Sequence, residues 1–222
     1  MSVKNSAQAR ADSLRAAQRP TGFWARLKAL FGFTPPVSAE DEAEIRRWDA
    51  GAEGERRTAE MLRILGDEGW YGLYDRQVPG ADVANCDFFL VAPSGRVFAT
   101  DAKLWSRDFV VHVSNGRLFH GELHYGRVIS SVLFETCQIE RALQEELRTH
   151  WRGRISVTPL IAMHNAPVAG GGFTLDGVRV VPADRLLMVL RSLAGAPDPA
   201  WAAIVAAAAD RVLPRYVEGG CR

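Results

Sequence analysis

The chain has 222 residues, with 27 Lys and Arg against 26 Asp and Glu, for a net charge of +1. That suits one domain with a sizeable core and excludes any global electrostatic pull on nucleic acid or membrane, so such affinity has to come from local placement. Three widely spaced cysteines, Cys86, Cys137 and Cys221, form no C-x-x-C pair. Neither a disulfide framework nor a zinc ribbon is expected, and reduced thiols in a cytoplasmic protein are the simplest reading. No signal-peptide core precedes a cleavage site, and no run approaches the ~18 apolar residues of a membrane span.

Residues 1–38 form a basic segment in which Lys4, Arg10, Arg15, Arg19, Arg26 and Lys28 face only Asp12. Within it, Phe23, Trp24, Leu27, Leu30 and Phe31 recur at helical spacing over 22–33. An aromatic, basic, amphipathic helix of this kind suits a peripheral membrane contact or a protein contact, or packs on its own domain. The main domain is expected over 39–195 and an Ala-rich helix with a tail over 196–222.

A helix is expected from Ser38, where Ser38 and Asp41 resemble a capping pair and Glu40, Asp41, Glu42 and Glu44 suit the positive end of the dipole. Its apolar positions, Ile45, Trp48, Ala52, Ala59, Leu62 and Leu65, fall three or four apart and skip one slot. Glu55 fills that slot, so a carboxylate points with the buried face, where it calls for a partner or a metal. Gly51 and Gly54 allow close backbone approach nearby.

Residues 70–78 read as a strand. In 86–103, CDFFLVAPSGRVFATDAK, two apolar runs flank Pro93-Ser94-Gly95 and predict a β-hairpin. Asp87 opens its first strand, and Asp101 and Lys103 close the second on one face. A second hairpin is expected around Asn115-Gly116, carrying His112, His120 and His124, which read as strand-face residues. A helix over Ser130–His150 places Thr136, Ile139, Leu143 and Leu147 on one stripe with Gln138 beside it. Ile155–Met163 is a continuous apolar run, expected to be a buried central strand. The loop at 169–172 lacks the context of a phosphate-binding motif. A strand at 177–181, a helix at 184–193 and a last helix capped by Asp198, with Pro199 at its first position, complete the chain. The pattern is α/β, a mixed sheet flanked by helices.

Glu55, Asp87, Asp101, Lys103 and Gln138 form a set suited to phosphodiester hydrolysis. Carboxylates can hold Mg²⁺, which activates water and offsets phosphate charge. Lys103 can position or deprotonate the water, or stabilise the transition-state oxygen.

The same residues carry a resemblance. GAEGE (Gly51–Glu55), CDFFLVAPSGRVFATDAK (Cys86–Lys103), the helix with Gln138, and the tail from VTPLIAMH to GVRVVPADRLLMVL are similar to the nuclease-related domain (NERD) family of the PD-(D/E)xK nuclease superfamily. The resemblance covers residues 45–193. It implies a restriction-endonuclease-like core with an inserted β-hairpin, and a Mg²⁺- or Mn²⁺-dependent hydrolase acting on double- or single-stranded DNA. It maps the helix glutamate onto Glu55, the first strand acid onto Asp87, the acid-x-Lys onto Asp101 and Lys103, and the helical glutamine onto Gln138. Metal ligation is then expected from Asp87, Asp101 and Glu55. Asp101 stands where the family more usually has Glu, and Cys86 where an apolar residue is more usual. The competing expectation is a nuclease-like fold serving as a DNA-binding or assembly module.

Overall fold

The computed structural model describes residues 39–81, 84–150 and 153–216. The helix expected at 22–33 and the thiol of Cys221 lie outside them. By its contacts the chain divides into Met1–Glu53 and Gly54–Arg222, and the account below concerns the second unit. Helix α1 (Ala39–Leu62) runs from the first unit into it and is followed by the short α2 (Ile64–Asp67).

Strands β1 (Tyr71–Gln77), β2 (Asn85–Val91) and β3 (Val97–Leu104) form an antiparallel meander. The β2–β3 turn is the expected Pro93-Ser94-Gly95, with Gly95 at φ +81°, a conformation that favours glycine. Strand β4 (Val111–Ser114), β5 (Arg117–His120) and β6 (Leu123–His124) form the insertion, a three-stranded sheet. Asn115 and Gly116 both have positive φ, as a two-residue hairpin of matching twist requires.

Helix α3 (Gly126–Glu146) is the crossover that lets β7 (Val157–His164) pair in parallel with β3, from Val97↔Val157 to Leu104↔His164. Strand β9 (Val178–Pro182) pairs in parallel with β7 and antiparallel with β8 (Phe173–Leu175). The sheet order is β1-β2-β3-β7-β9-β8, a six-stranded mixed sheet consistent with a restriction-endonuclease-like fold. Helix α4 (Leu186–Leu193) and α5 (Pro199–Val212) follow, and the Asp198 side chain caps α5 by accepting from the Trp201 N–H at 3.0 Å.

Helices cover both faces because both faces of the central strands are apolar. On one side Phe89, Val97 and Ala99 pack with Ile139 and Leu143 of α3 and with Val205 and Ala209 of α5. On the other, Phe88, Leu90 and Phe98 pack with Leu62, Leu65 and Leu186. A third cluster joins Val111 and Leu118 of the insertion to Val132, Ile161 and Met163. After α5 the chain returns to β1. The Arg76 guanidinium donates to the Leu213 carbonyl at 2.8 Å and pairs with Asp210 at 2.8 Å. The Gln77 N–H donates to the Pro214 carbonyl at 2.8 Å, and the Tyr216 N–H to that of Asp75 at 3.0 Å.

Boundaries shift from expectation where local signals were weak. Helix α3 starts four residues before Ser130, after Tyr125 and without a side-chain cap. The helix expected from Asp184 opens as a 3-10 turn (Ala183–Arg185) before α4. Among the described residues, no helix is long and apolar enough to cross a membrane.

Candidate active site

The hairpin register does most of the assembly. Pairing from Val91↔Val97 to Phe88↔Thr100 sets Asp87 opposite Asp101 where β2 and β3 separate. Asp87 Oδ2 replaces the next ladder bond by accepting the Ala102 N–H at 3.1 Å. Its Oδ1 faces the Asn85 amide at 3.4 Å, and the same amide donates to Asp75 Oδ1 at 3.0 Å. Asp75 sits at φ +50°, an uncommon conformation for a non-glycine strand residue. Alternation puts Asp101 and Lys103 on one face of β3, and Lys103 Nζ lies 2.7 Å from Asp101 Oδ1.

Burial pushes the Asp87 carboxyl well above the usual carboxylate range, and Asp101 and Glu55 push it further. Two facing carboxylates in a shielded site repel each other. Burial works against the Lys103 ammonium, but Asp101 and then Asp87 outweigh it and hold its pKa above the usual lysine value. Lys103 is therefore a fixed cation here.

Glu55 reaches the pair from α1. It is half-buried, and burial, then Asp75, raise its pKa to about 7 despite Lys103. Gly54, the residue before it, allows the helix onto β3: a Cβ there would stand 3.3 Å from the Leu104 Cβ. One turn on, Thr58 is fully buried and its hydroxyl meets His164 Nε2 at 2.6 Å, tying α1 to β7.

From the other side, α3 contributes a carboxylate that the sequence reading passed over. Glu135 lines a pocket with Cys86, Asp87, Thr100 and Asp101, and burial, then Asp101, raise its pKa to about 8. The buried Thr100 hydroxyl in that wall has no hydrogen-bond partner among the described residues. The Cys86 thiol is pushed well up by burial, so it stays protonated. Gln138, one turn beyond Glu135, lies against the β1–β2 loop, where its Oε1 would be 3.7 Å from a Cβ on Gly80. The histidines of the insertion stand apart from this cluster: His120 Nε2 is bonded to the Ser106 carbonyl at 2.9 Å, and His112 and His124 pack on Phe119.

The nuclease-related domain model matches residues 50–164, just over half of the chain. The chain belongs to the nuclease-related domain family. The matched span runs from just before Glu55 to His164 and so takes in Asp87, Asp101, Lys103, Glu135 and Gln138. No curated protein and no solved structure matches the chain.

Among the described residues, no group of three or more His, Cys, Asp or Glu is gathered closely enough to form a complete metal cage. A Mg²⁺ site does not require one, since this ion is commonly held by one or two carboxylates with water and substrate phosphate. The facing Asp87 and Asp101 fit that requirement in donor type and number, and their mutual repulsion is what a divalent cation relieves.

Proposed function

We propose that this nuclease-related domain hydrolyses DNA phosphodiester bonds with Mg²⁺ or Mn²⁺. The observation that carries the reading is the facing of Asp87 and Asp101 across the parting of β2 and β3, with Lys103 Nζ 2.7 Å from Asp101. In this reading Asp87 and Asp101 hold the cation and Glu55 completes the set from α1. When bound, the cation supplies Lewis acidity that polarises the phosphate and activates water. The chain's own residues do the positioning. The Ala102 N–H and the Asn85 amide fix the two oxygens of Asp87. The Lys103 ammonium donates to the attacking water or to a phosphate oxygen, where negative charge grows in the transition state. Gln138 orients the same water or phosphate from α3.

The test is cleavage of linear, circular and single-stranded DNA by the purified chain in Mg²⁺ or Mn²⁺. Asp101→Asn and Lys103→Ala are expected to abolish cleavage while thermal unfolding remains cooperative. A wild-type chain that leaves all three substrates intact in both metals refutes the reading. DNA binding without turnover, unchanged in Asp87→Ala, would instead make the chain a DNA-binding module.

A further inference from the structure

The inserted sheet has two unlike faces. Val111, Leu118 and His120 point inward and are buried, and Trp105, just past the end of β3, packs its ring on His120 and Tyr125 at 5.0 and 4.3 Å. Opposite them, by strand alternation, His112, Ser114, Arg117, Phe119 and His124 point outward. Three of these are flat rings in register across all three strands. His112 pairs with Phe119 and Phe119 with His124, at centroid separations of 5.7 and 5.4 Å, and the first pair is stacked within 20°. His112 Nδ1 lies 3.2 Å from the Val110 carbonyl, which holds its ring in the row.

The sheet does not need this row for its core, which the inward face already supplies. The outward strand positions include one permanent cation, Arg117, two histidines and no carboxylate. A row of aromatic rings beside a guanidinium matches a ligand made of flat rings joined by phosphates. A single nucleic-acid strand offers base faces to the rings and phosphate to Arg117, whereas a duplex keeps its base faces stacked inside. The insertion leaves β3 directly after Lys103 and Leu104, so this face and the acidic site lie on one path of the chain.

We propose that the outward face of the inserted sheet is a stacking platform for unpaired nucleobases, which selects single-stranded DNA for the acidic site at the end of β3. The substrate class rests on the nuclease reading; the binding itself does not.

The test is fluorescence anisotropy of the full chain with labelled oligothymidylate in EDTA, where no cleavage contributes. The single strand is expected to bind more tightly than a duplex of equal length. Phe119→Leu, which keeps apolar bulk but removes the ring, is expected to weaken binding roughly ten-fold, and Phe119→Tyr to restore it. Arg117→Ala is expected to lower the salt dependence by about one counterion. Equal binding of duplex, or wild-type affinity in Phe119→Leu with its thermal unfolding unchanged, overturns the proposal. So does a Phe119-dependent float on anionic phosphatidylglycerol vesicles, or Phe119-dependent self-association, without binding of the strand. Strand binding through Phe119 in a chain that cleaves nothing would sink the nuclease reading and leave the platform standing. Cleavage with no role for Phe119 would do the reverse.

Discussion

Glu135→Gln isolates the electrostatic cost of the acidic wall. The Glu135 carboxyl has an ordinary pKa of 4.5 and one of about 8 in the fold, raised by burial and then by Asp101. Below the lower value, folded and unfolded chains both hold the proton and the group is silent. Between the two, only the folded chain keeps it, so each rise in pH favours unfolding. Above the upper value both have lost it and the full penalty stands. At about 1.4 kcal/mol per pH unit, the shift costs on the order of 3–5 kcal/mol once the side chain is allowed to relax. Gln keeps the shape and removes the charge. In EDTA, Glu135→Gln is therefore expected to melt with the wild type near pH 4.5 and on the order of 10 °C above it by about pH 8.5. Glu55, raised to about 7, gives both proteins a decline of the same sign, so both curves fall while the gap opens. Thermal unfolding followed by circular dichroism across this range is the assay. A gap that is constant with pH, or that closes as pH rises, refutes the argument. Saturating Mg²⁺ is expected to narrow the gap at high pH, because a cation near Asp101 offsets the same repulsion.

Asn85→Ala releases one oxygen of Asp87 and breaks its link to Asp75. A loss of 10–100-fold in cleavage is expected, with more Mg²⁺ needed for half-maximal rate and little change in melting; an unchanged Mg²⁺ dependence would remove Asn85 from the site. Gly95→Ala places a Cβ into the Trp201 ring at a position with φ +81°. It is expected to cost at least ~2 kcal/mol, read as a lower urea midpoint at unchanged slope. An unchanged midpoint would mean that α5 is not docked on the hairpin turn as described.

Much of this architecture was legible because the hairpin combines two independent signals, paired apolar runs and turn chemistry. Those fix the register, and the register alone sets Asp87 against Asp101. Glu55 was legible as a charged slot in an apolar helical stripe. The same signal existed for Glu135, which lies between Val132 and Ile139 at helical spacing, both buried. A stripe drawn through Thr136, Ile139, Leu143 and Leu147 begins one residue after Glu135 and so leaves it out. Asp75 had no such signal. Its role depends on a positive φ at a non-glycine residue and on bonds to Asn85 and Tyr216, and no periodicity in the text encodes either. His164 directly follows the apolar run Ile155–Met163, yet its contact with Thr58 joins two elements more than a hundred residues apart.

The return of the chain to β1 after α5 also bears on how the protein behaves with copies of itself. A sheet invites further strands wherever its outer backbone is unpaired, and such edges seed aggregation. Here one outer strand, β8, is only three residues long, and the other, β1, gives bonds at Gln77 and Asp75 to the segment that follows Leu213. The Arg76 guanidinium clamps that segment from within the sheet. Cutting the chain before Leu213 would bare the β1 edge beside the acidic site and leave Arg76 without its carbonyl. Light scattering of such a truncation, against the full chain at equal concentration, should rise while the full chain stays clear.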